Sequence, residues 1–286
     1  MEAVRSFRKA AEQGYAKAQM NLGTAFSIGR GGIAQSDKKA VRWFKKAADQ
    51  GNPEAQNLIG LMYKEGRFLP LNEEKAASCF KEAAEQGYAK AHFSMGNLCL
   101  DGRGLRLNKE EAACWFEKAT EQGYAEAEYQ LGCSYYLGRG VAKNYEEAAQ
   151  WFRKAAEQGH KDAAFLMWHV LIHGDASPLS GEKAQDWLRK AADRGNLEAH
   201  FLGGNAYRVG HGDVKQSYEA SALWTRKAAQ KGHAEGQYAL SLMFEKGVGV
   251  AQNDEEAMYW LKKAADQGIA EATSKLTSKP ALRDKA

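Results

Sequence analysis

The stretch GYAEAEYQLGCSYYLGRGVAKNYEEAAQWFRKAAEQG, residues 123–159, decides the fold of this 286-residue chain. Ala127, Leu131 and Tyr135 recur every four residues, which predicts the apolar face of a first helix, A. Two glycines then interrupt the pattern, and a second apolar stripe predicts another helix, B. Gly159 ends helix B, because glycine adopts the left-handed conformation of a helix C-terminus at little cost. The stretch therefore predicts a helix-turn-helix hairpin.

The same pattern returns along the whole chain. The glycines that close it lie 36 or 37 residues apart: Gly14, Gly51, Gly87, Gly123, Gly159, Gly195, Gly232 and Gly268. They delimit seven repeats, numbered one to seven, with a half-repeat at each end (about 2–13 and 270–276). A single hairpin is too small to bury its own apolar face, so such repeats stack. We predict an all-α solenoid over 1–276 as a single domain, and a disordered polar tail over 277–286.

Two positions recur in register within helix B and form columns. The first is an N-cap column, whose side chains can accept a hydrogen bond from the start of the helix. Its members are Ser36, Asn72, Asn108, Asn144, Ser180, Ser217 and Asn253. The second column places one large ring in each B helix except in repeat two, and we expect this ring to fill the stacked core. Its members are Trp43, Cys79, Trp115, Trp151, Trp187, Trp224 and Trp260.

The combined pattern, A-x-x-x-L-G-x-x-Y-x-x-G-x-G-V followed by a cap and A-x-x-W-x-x-K-A-A-x-Q-G, resembles the Sel1-like repeat, a relative of the TPR repeat. The resemblance covers essentially the whole chain. It implies a right-handed α-solenoid with A helices on the concave surface and B helices on the convex surface. It also implies a non-catalytic adaptor, scaffold or inhibitor of a partner protein. Some bacterial members are immunity proteins that neutralise a secreted effector enzyme, so that role is an alternative.

Three repeats depart from the pattern. Repeat two has Phe68, Leu69 and Pro70 in place of the glycine-valine turn, and repeat five has Trp168 where glycine is usual. Repeat seven has Gly236 and Ser241 at positions that otherwise carry alanine and glycine. Irregular repeats are candidates for function, although drift absorbed by repacking explains them equally well.

The inner face of the A helices is the predicted partner-binding surface. Side chains at i, i+4 and i+7 share one face of a helix. Aromatic side chains beside arginine and asparagine match the composition of protein-binding hot spots. The alternative is that each ring packs against the neighbouring helix. The predicted contact residues are Phe93, Tyr129, Tyr136, Phe165, His169, Ile172, Phe201, Asn205, Arg208 and Tyr238.

Acidic residues form a further column at the start of the A helices: Glu54, Glu126, Asp162, Glu198 and Glu235. A favourable interaction with the positive end of each helix dipole explains them. An acidic rim that recruits a basic partner is the alternative. Because Lys17 and Lys90 stand in the same column, the helix-dipole explanation is favoured.

A metal or small-molecule site in the groove is the alternative class of function. His169 and His173 lie four residues apart on a predicted helix, so both imidazoles could ligate zinc. No third ligand is fixed by spacing. The Gly-Arg-Gly turns follow helices and recur, unlike a phosphate-binding loop. No catalytic constellation of side chains is evident, so the sequence predicts neither an enzyme nor a cofactor.

Composition limits the partners. The net charge of +4 comes from 40 basic and 36 acidic residues mixed along the chain, without the basic stripe expected of a nucleic-acid binder. No apolar run is long enough to predict membrane insertion. The four cysteines show no paired pattern, so we expect reduced thiols; the cytoplasm is favoured, and a periplasmic location would require removal of an upstream signal. Phe7 and Ala10, on the N-terminal half-repeat, could mediate self-association.

Overall fold

The computed structural model of the chain describes residues 2–30, 32–173, 183–210 and 214–278, and these contain sixteen helices and no strand. Odd-numbered helices are B helices and even-numbered helices are A helices, so the predicted all-α repeat fold is confirmed. The last helix continues through Ser278, two residues beyond the predicted end of the solenoid. The helices are α1 (Glu2–Glu12), α2 (Ala16–Ile28), α3 (Asp37–Asp49), α4 (Pro53–Glu65), α5 (Glu73–Glu85), α6 (Ala89–Asp101), α7 (Lys109–Thr120), α8 (Ala125–Leu137), α9 (Tyr145–Glu157), α10 (Lys161–His173), α11 (Ala184–Asp193), α12 (Leu197–Val209), α13 (Tyr218–Gln230), α14 (Ala234–Lys246), α15 (Asp254–Asp266) and α16 (Ala270–Ser278).

The helices form two compact blocks, an N-terminal block over Met1–Trp151 and a C-terminal block over Phe152–Ala286. Within each block a helix packs mainly on its neighbours in sequence. The most extensive packing joins the A and B helices of one repeat, as in α4 with α5 and α12 with α13. The hairpin read from the sequence is therefore the packing unit of both blocks.

A phenylalanine of helix B, seated on a glycine of helix A, fills the core of the N-terminal block. Phe80 and Phe116 are fully buried. A Cβ atom added to Gly60 would lie 2.5 Å from the Phe80 ring, and one added to Gly96 would lie 2.5 Å from the Phe116 ring. An added methyl group therefore cannot fit unless the ring moves.

The tryptophan column lies less deeply than predicted in the N-terminal block. Trp43 and Trp115 are only half-buried there, although each is followed directly by a buried phenylalanine. The ring that fills this core is therefore one residue later than the predicted ring. In the C-terminal block Trp187 and Trp260 are buried, as expected, whereas Trp224 is half-buried.

Six of the predicted N-caps are confirmed, because each side chain accepts a hydrogen bond from a backbone N–H in the first turn of its helix. They are Ser36, Asn72, Asn108, Asn144, Ser217 and Asn253. Ser180 lies outside the described residues. The B helix of repeat five begins at Ala184, where Lys183 occupies the cap position without a side-chain hydrogen bond.

The turn between helices A and B touches the preceding repeat. A Cβ atom on Gly104 would collide with the carbonyl oxygen of Glu73, and one on Gly140 with that of Lys109. This close approach accounts for the second glycine of the Gly-Arg-Gly turns without any phosphate. In repeat two Phe68 occupies the same turn position and keeps the left-handed conformation, with a φ of 65°.

Candidate protein-interaction surface

The predicted contact residues of the N-terminal block are half-buried. The Phe93 ring centroid lies 5.8 Å from that of Phe116 and 5.3 Å, edge-on, from that of Tyr124. Tyr136 lies 5.4 Å from the ring of Tyr145. These rings therefore pack against neighbouring rings within the block, and the partner contact predicted for them stays a prediction.

Two cysteines on the A helices of this block are not activated. Burial raises the pKa of the Cys133 thiol to about 11, although a hydrogen bond from Tyr129 and the charge of Arg139 act in the opposite direction. Burial also raises the pKa of Cys99 to about 11. Because the thiolate is the nucleophile, these thiols are poor nucleophiles at neutral pH.

The aromatic column of the C-terminal block also packs against neighbouring rings. Phe165 lies 5.5 Å from Trp168, and His169 lies 6.1 Å from the same indole. Phe201 stacks on His233 at 4.8 Å with an interplanar angle of 24°. Tyr238, in α14, packs against a buried cluster contributed by α15 and α16. Phe201 and Tyr238 thus join successive elements, whereas Phe165 and His169 pack within α10, and all four side chains are half-buried.

Polar contacts join the starts of successive A helices. His233 Nδ1 accepts a hydrogen bond from the Gly236 N–H at 3.0 Å. The ring proton is therefore assigned to Nε2, which donates a hydrogen bond to the Glu198 carboxylate at 2.9 Å. Asn196 Nδ2 donates to Asp162 at 2.8 Å. Two members of the acidic column therefore hold the cap residue of the next repeat, a role that the sequence did not indicate.

Three predicted contact residues, Ile172, Asn205 and Arg208, meet at a hollow of about 330 Å³ between α10 and α12, the α10–α12 hollow. Its other lining residues are Trp168, Leu202, Ala206 and Val209. Asn205, Arg208 and Val209 also border a wider hollow of about 1040 Å³, the α12–α14 hollow. Its opposite side includes Tyr218, Leu242, Met243 and Val248. The last turn of α12 thus separates two partly apolar depressions.

The side chains on this last turn are accessible and chemically mixed. Val209 is 54% exposed, and Tyr218 across the α12–α14 hollow is 44% exposed. Arg208 is exposed, and Asn205 Oδ1 accepts a long hydrogen bond of 3.5 Å from its Nε. In the part of the chain that the structure describes, no carboxylate pairs with the Arg208 guanidinium. An arginine flanked by accessible apolar side chains is typical of a protein-binding hot spot.

Sequence reasoning missed Val209 and Tyr218, which lie outside the columns that repeat with helical spacing. Tyr218 follows the Ser217 cap, and Val209 is the last residue of α12. Trp168 carried a signal, because it replaces glycine in its column. Its indole is buried to 7% exposure and lines the α10–α12 hollow. In this block the departure from the repeat pattern at Trp168 therefore coincides with a hollow in the surface.

The remaining predictions stay open. The side chain of His173 lies outside the described residues, and among those that are described no group of three or more His, Cys, Asp or Glu side chains is arranged to hold a metal ion. No helix in the described ranges is long and apolar enough to cross a membrane. Phe7, on the half-repeat considered for self-association, is 39% exposed.

Comparison with known proteins identifies the repeat. The Sel1 repeat model matches residues 2–15, 16–52, 53–88, 89–124, 125–160, 171–196, 199–233 and 234–269. A search of curated proteins finds no match. Among solved structures, a Sel1 repeat protein from Oxalobacter formigenes is 33% identical, with a TM-score of 0.77 over 97% of this chain and 80% of that chain.

Two further solved structures are similar at lower levels. The protective antigen c5321 of uropathogenic Escherichia coli, which has the same repeat fold, is 29% identical, with a TM-score of 0.73 over 96% of this chain and 66% of that chain. The immunity protein Pa5087 from Pseudomonas aeruginosa is 23% identical, with a TM-score of 0.41 over 64% of this chain and 67% of that chain, a likeness too low to indicate a role. Sel1 repeat proteins generally mediate protein–protein interaction. With repeats matched along nearly its whole length, the chain belongs to the Sel1 repeat family.

Proposed function

We propose that this chain is a non-catalytic protein-binding module, and that its partner docks on the A-helix face of the C-terminal block around the last turn of α12. The observation that carries this proposal is the pair of hollows on either side of Asn205, Arg208 and Val209. A partner that inserts one apolar side chain into each hollow straddles Arg208. An adaptor, a scaffold and an inhibitor would all use such a surface.

The physical basis of binding is apolar burial combined with a directional charge. Removing apolar surface from water contributes roughly 25 cal/mol per Å². Arg208 presents a planar group of N–H donors between the two hollows and can hold a partner carboxylate or carbonyl in one orientation. Phe201 stacks on His233 and so joins α12 to the start of α14, whereas Phe165 packs on Trp168 within α10. The contribution of these half-buried rings is therefore mainly to the shape of the surface.

Affinity capture tests this proposal. The wild-type chain is compared with Val209→Asp and Arg208→Glu, which alter exposed side chains and should leave folding intact by circular dichroism. Leu223→Asp is the matched control, because Leu223 is also exposed, to 57%, but lies on a B helix. We expect a partner that the wild type and the control retain and that both α12 variants lose.

Retention of the partner by both folded α12 variants would refute the proposed surface. Loss in the control as well would place the contact on the B-helix side. The captured protein then separates the finer roles: an effector enzyme that is inhibited on binding would identify an immunity-type inhibitor, whereas a multi-component assembly would identify a scaffold.

A further inference from the structure

Repeat two lacks the indole that every other repeat carries in helix B. Cys79 stands in the tryptophan column, and Glu82 stands three residues later, where the other repeats have lysine. In four complete repeats the lysine Nζ lies 3.8 to 5.8 Å from the centroid of the tryptophan ring. These pairs are Trp43 with Lys46, Trp115 with Lys118, Trp187 with Lys190, and Trp260 with Lys263. Repeat two therefore lacks both members of the cation–π pair that these repeats contain.

Repeat six shows where the indole packs in a complete repeat. The Trp224 ring lies 6.1 Å from His200 and 6.0 Å from Tyr207, both on the A helix of the same repeat. A Cβ atom added to Gly203 would collide with the same indole, whereas repeat three carries Met95 and repeat two Ile59 at this position. The positions of His200 and Tyr207 therefore mark the place of the ring in a repeat that has a larger side chain between them. Repeat three agrees, because Trp115 lies 5.6 Å from His92, the counterpart of His200.

The three equivalent positions of repeat two line an open hollow. By repeat register Gln56 corresponds to His200, Ile59 to Gly203 and Tyr63 to Tyr207. All three border a hollow of about 490 Å³ that Cys79 also lines, here called the repeat-two hollow. Its volume lies within the usual range of ligand pockets, roughly 300–1,000 Å³. The hollow lies at the place where the indole packs beside helix A in repeats three and six.

The charges around the repeat-two hollow balance. Each wall carries one charge of each sign: Lys45 and Asp49 on α3, and Lys75 and Glu82 on α5. The carboxylate of Glu82 already accepts hydrogen bonds from Gln56 Nε2 at 3.0 Å and from the Ser78 hydroxyl at 3.4 Å. A neutral ring therefore suits this hollow better than a charged ligand does.

Covalent attachment of a ligand to the Cys79 thiol is not an alternative to the binding of a neutral ring. Burial, with a further contribution from Glu82, raises the pKa of the Cys79 thiol above its ordinary value, and Lys45 offsets this only in part. The thiol therefore stays protonated at neutral pH and contributes a small, weakly polar wall.

We infer that the repeat-two hollow binds the indole ring of a tryptophan side chain presented by a protein partner, which completes the repeat in trans. The ring would lie beside Gln56 and Tyr63, as Trp224 lies beside His200 and Tyr207, and Ile59 would keep it farther from helix A than Gly203 keeps Trp224. This contact lies in the N-terminal block and is independent of the surface around Arg208. Failure of either proposal therefore leaves the other standing.

The direct test is a titration of the full chain with N-acetyl-tryptophanamide, a neutral model of a tryptophan residue, followed by methyl NMR of Ile59. We expect a saturable shift of the Ile59 methyl signals with a dissociation constant on the order of 1 mM, as suits a single small ring. N-acetyl-alaninamide is the negative control and should produce no saturable shift. Absence of saturation by the indole compound up to about ten times that concentration would overturn the inference.

The matched variant is Cys79→Trp combined with Glu82→Lys, which restores the residues of the other repeats. It should fill the hollow with its own indole, raise the melting temperature and abolish the Ile59 response. A folded variant that still responds as the wild type does would overturn the inference. Cys79→Leu is the second variant: it fills part of the hollow with little risk to folding and should weaken binding several-fold.

A parallel titration with tryptamine distinguishes a partner's side chain from a free aromatic amine. Equal or weaker binding of tryptamine supports the neutral ring of a peptide as the occupant. Binding more than about tenfold tighter would indicate that the acidic residues select a free cationic ligand, and would contradict the inference as stated.

Discussion

Repeats two and three of the N-terminal block share one internal contact and differ in the layer beside it. In each, a buried phenylalanine of helix B rests on a glycine of helix A with the same clearance, 2.5 Å to an added Cβ atom: Phe80 on Gly60, and Phe116 on Gly96. Beside that contact repeat three has an indole under a lysine, whereas repeat two has an open hollow. The identical clearance shows that loss of the indole left the phenylalanine contact unchanged.

The difference separates two roles within helix B. The phenylalanine holds the hairpin together, because it is fully buried in both repeats. The tryptophan is half-buried at Trp115, where it packs beside His92 of helix A. Repeat two shows that the buried phenylalanine contact forms without this indole, and the space beside it is then open to a ligand.

Removing the phenylalanine should have the largest effect and should affect both repeats alike. Phe80→Ala and Phe116→Ala each delete a fully buried ring, which typically costs about 3–5 kcal/mol of unfolding free energy. Urea denaturation followed by far-UV circular dichroism measures it. A much smaller loss of unfolding free energy for Phe80→Ala than for Phe116→Ala would show that the phenylalanine of repeat two contributes less to stability. The two phenylalanine contacts would then not be equivalent.

Replacing the glycine under the phenylalanine by alanine should have the next largest effect on stability. Gly60→Ala and Gly96→Ala each place a methyl group against a phenylalanine ring, and overpacking of this kind costs about 1–3 kcal/mol. In an ordinary helix the same change stabilises by up to about 1 kcal/mol. The sign of the change in urea midpoint therefore decides whether the close contact is real in each repeat.

Transferring the hollow to repeat three should have a smaller effect on stability and add a binding site. Trp115→Cys with Lys118→Glu copies the residues of repeat two. Because Trp115 is half-buried, we expect a loss of about 1–2 kcal/mol, below the cost of a fully buried ring. The variant should bind a second equivalent of N-acetyl-tryptophanamide by NMR. A folded variant that binds only one equivalent would show that the hollow of repeat two needs more than the missing indole.

Replacing His200, which packs beside the Trp224 indole, should have the smallest effect on stability, and that effect depends on pH. Burial lowers the pKa of His200, helped by Lys231 and Lys227 and opposed by a hydrogen bond to the Asn196 backbone. The folded state therefore binds its proton less readily than the unfolded state, whose pKa is about 6.5. Stability should fall as pH drops below about 6.5 and level off below the folded pKa.

His200→Gln tests this, since glutamine stands at the equivalent position in repeats one, two and seven. The variant should lose stability more slowly than the wild type when urea midpoints are measured below pH 6.5. An unchanged pH profile would show that His200 does not report on the packing of the indole.

The repeat fold and its helix ends were predictable because they depend on local chemistry. Asn72 and Asn108 accept hydrogen bonds from their own helices, and Gly123 adopts a positive φ, so the sequence within a few residues decides each feature. The depth of burial was less predictable. Trp115 and Phe116 are adjacent large rings, and the one that enters the core is Phe116, which faces Gly96 of helix A.

The candidate site was predictable in part. Ile172 on α10 and Asn205 and Arg208 on α12 were assigned to the inner face of the A helices, and they line a common hollow. Their contact with a partner stays a prediction. The share of each aromatic ring that packs inward was not predictable, since it depends on non-local neighbours such as His233 beneath Phe201. Cys79 was visible as an exception, but its significance required the positions that an indole occupies in other repeats.

The contact of each turn with the preceding repeat gives the fold a direction. Gly104 approaches the carbonyl of Glu73, and Gly140 that of Lys109, so each turn rests on residues about thirty positions earlier in the chain. A ribosome delivers those earlier residues first. Each of these turns therefore emerges when the surface that receives it has already been synthesised, so these repeats can be added in the order of translation without waiting for later sequence.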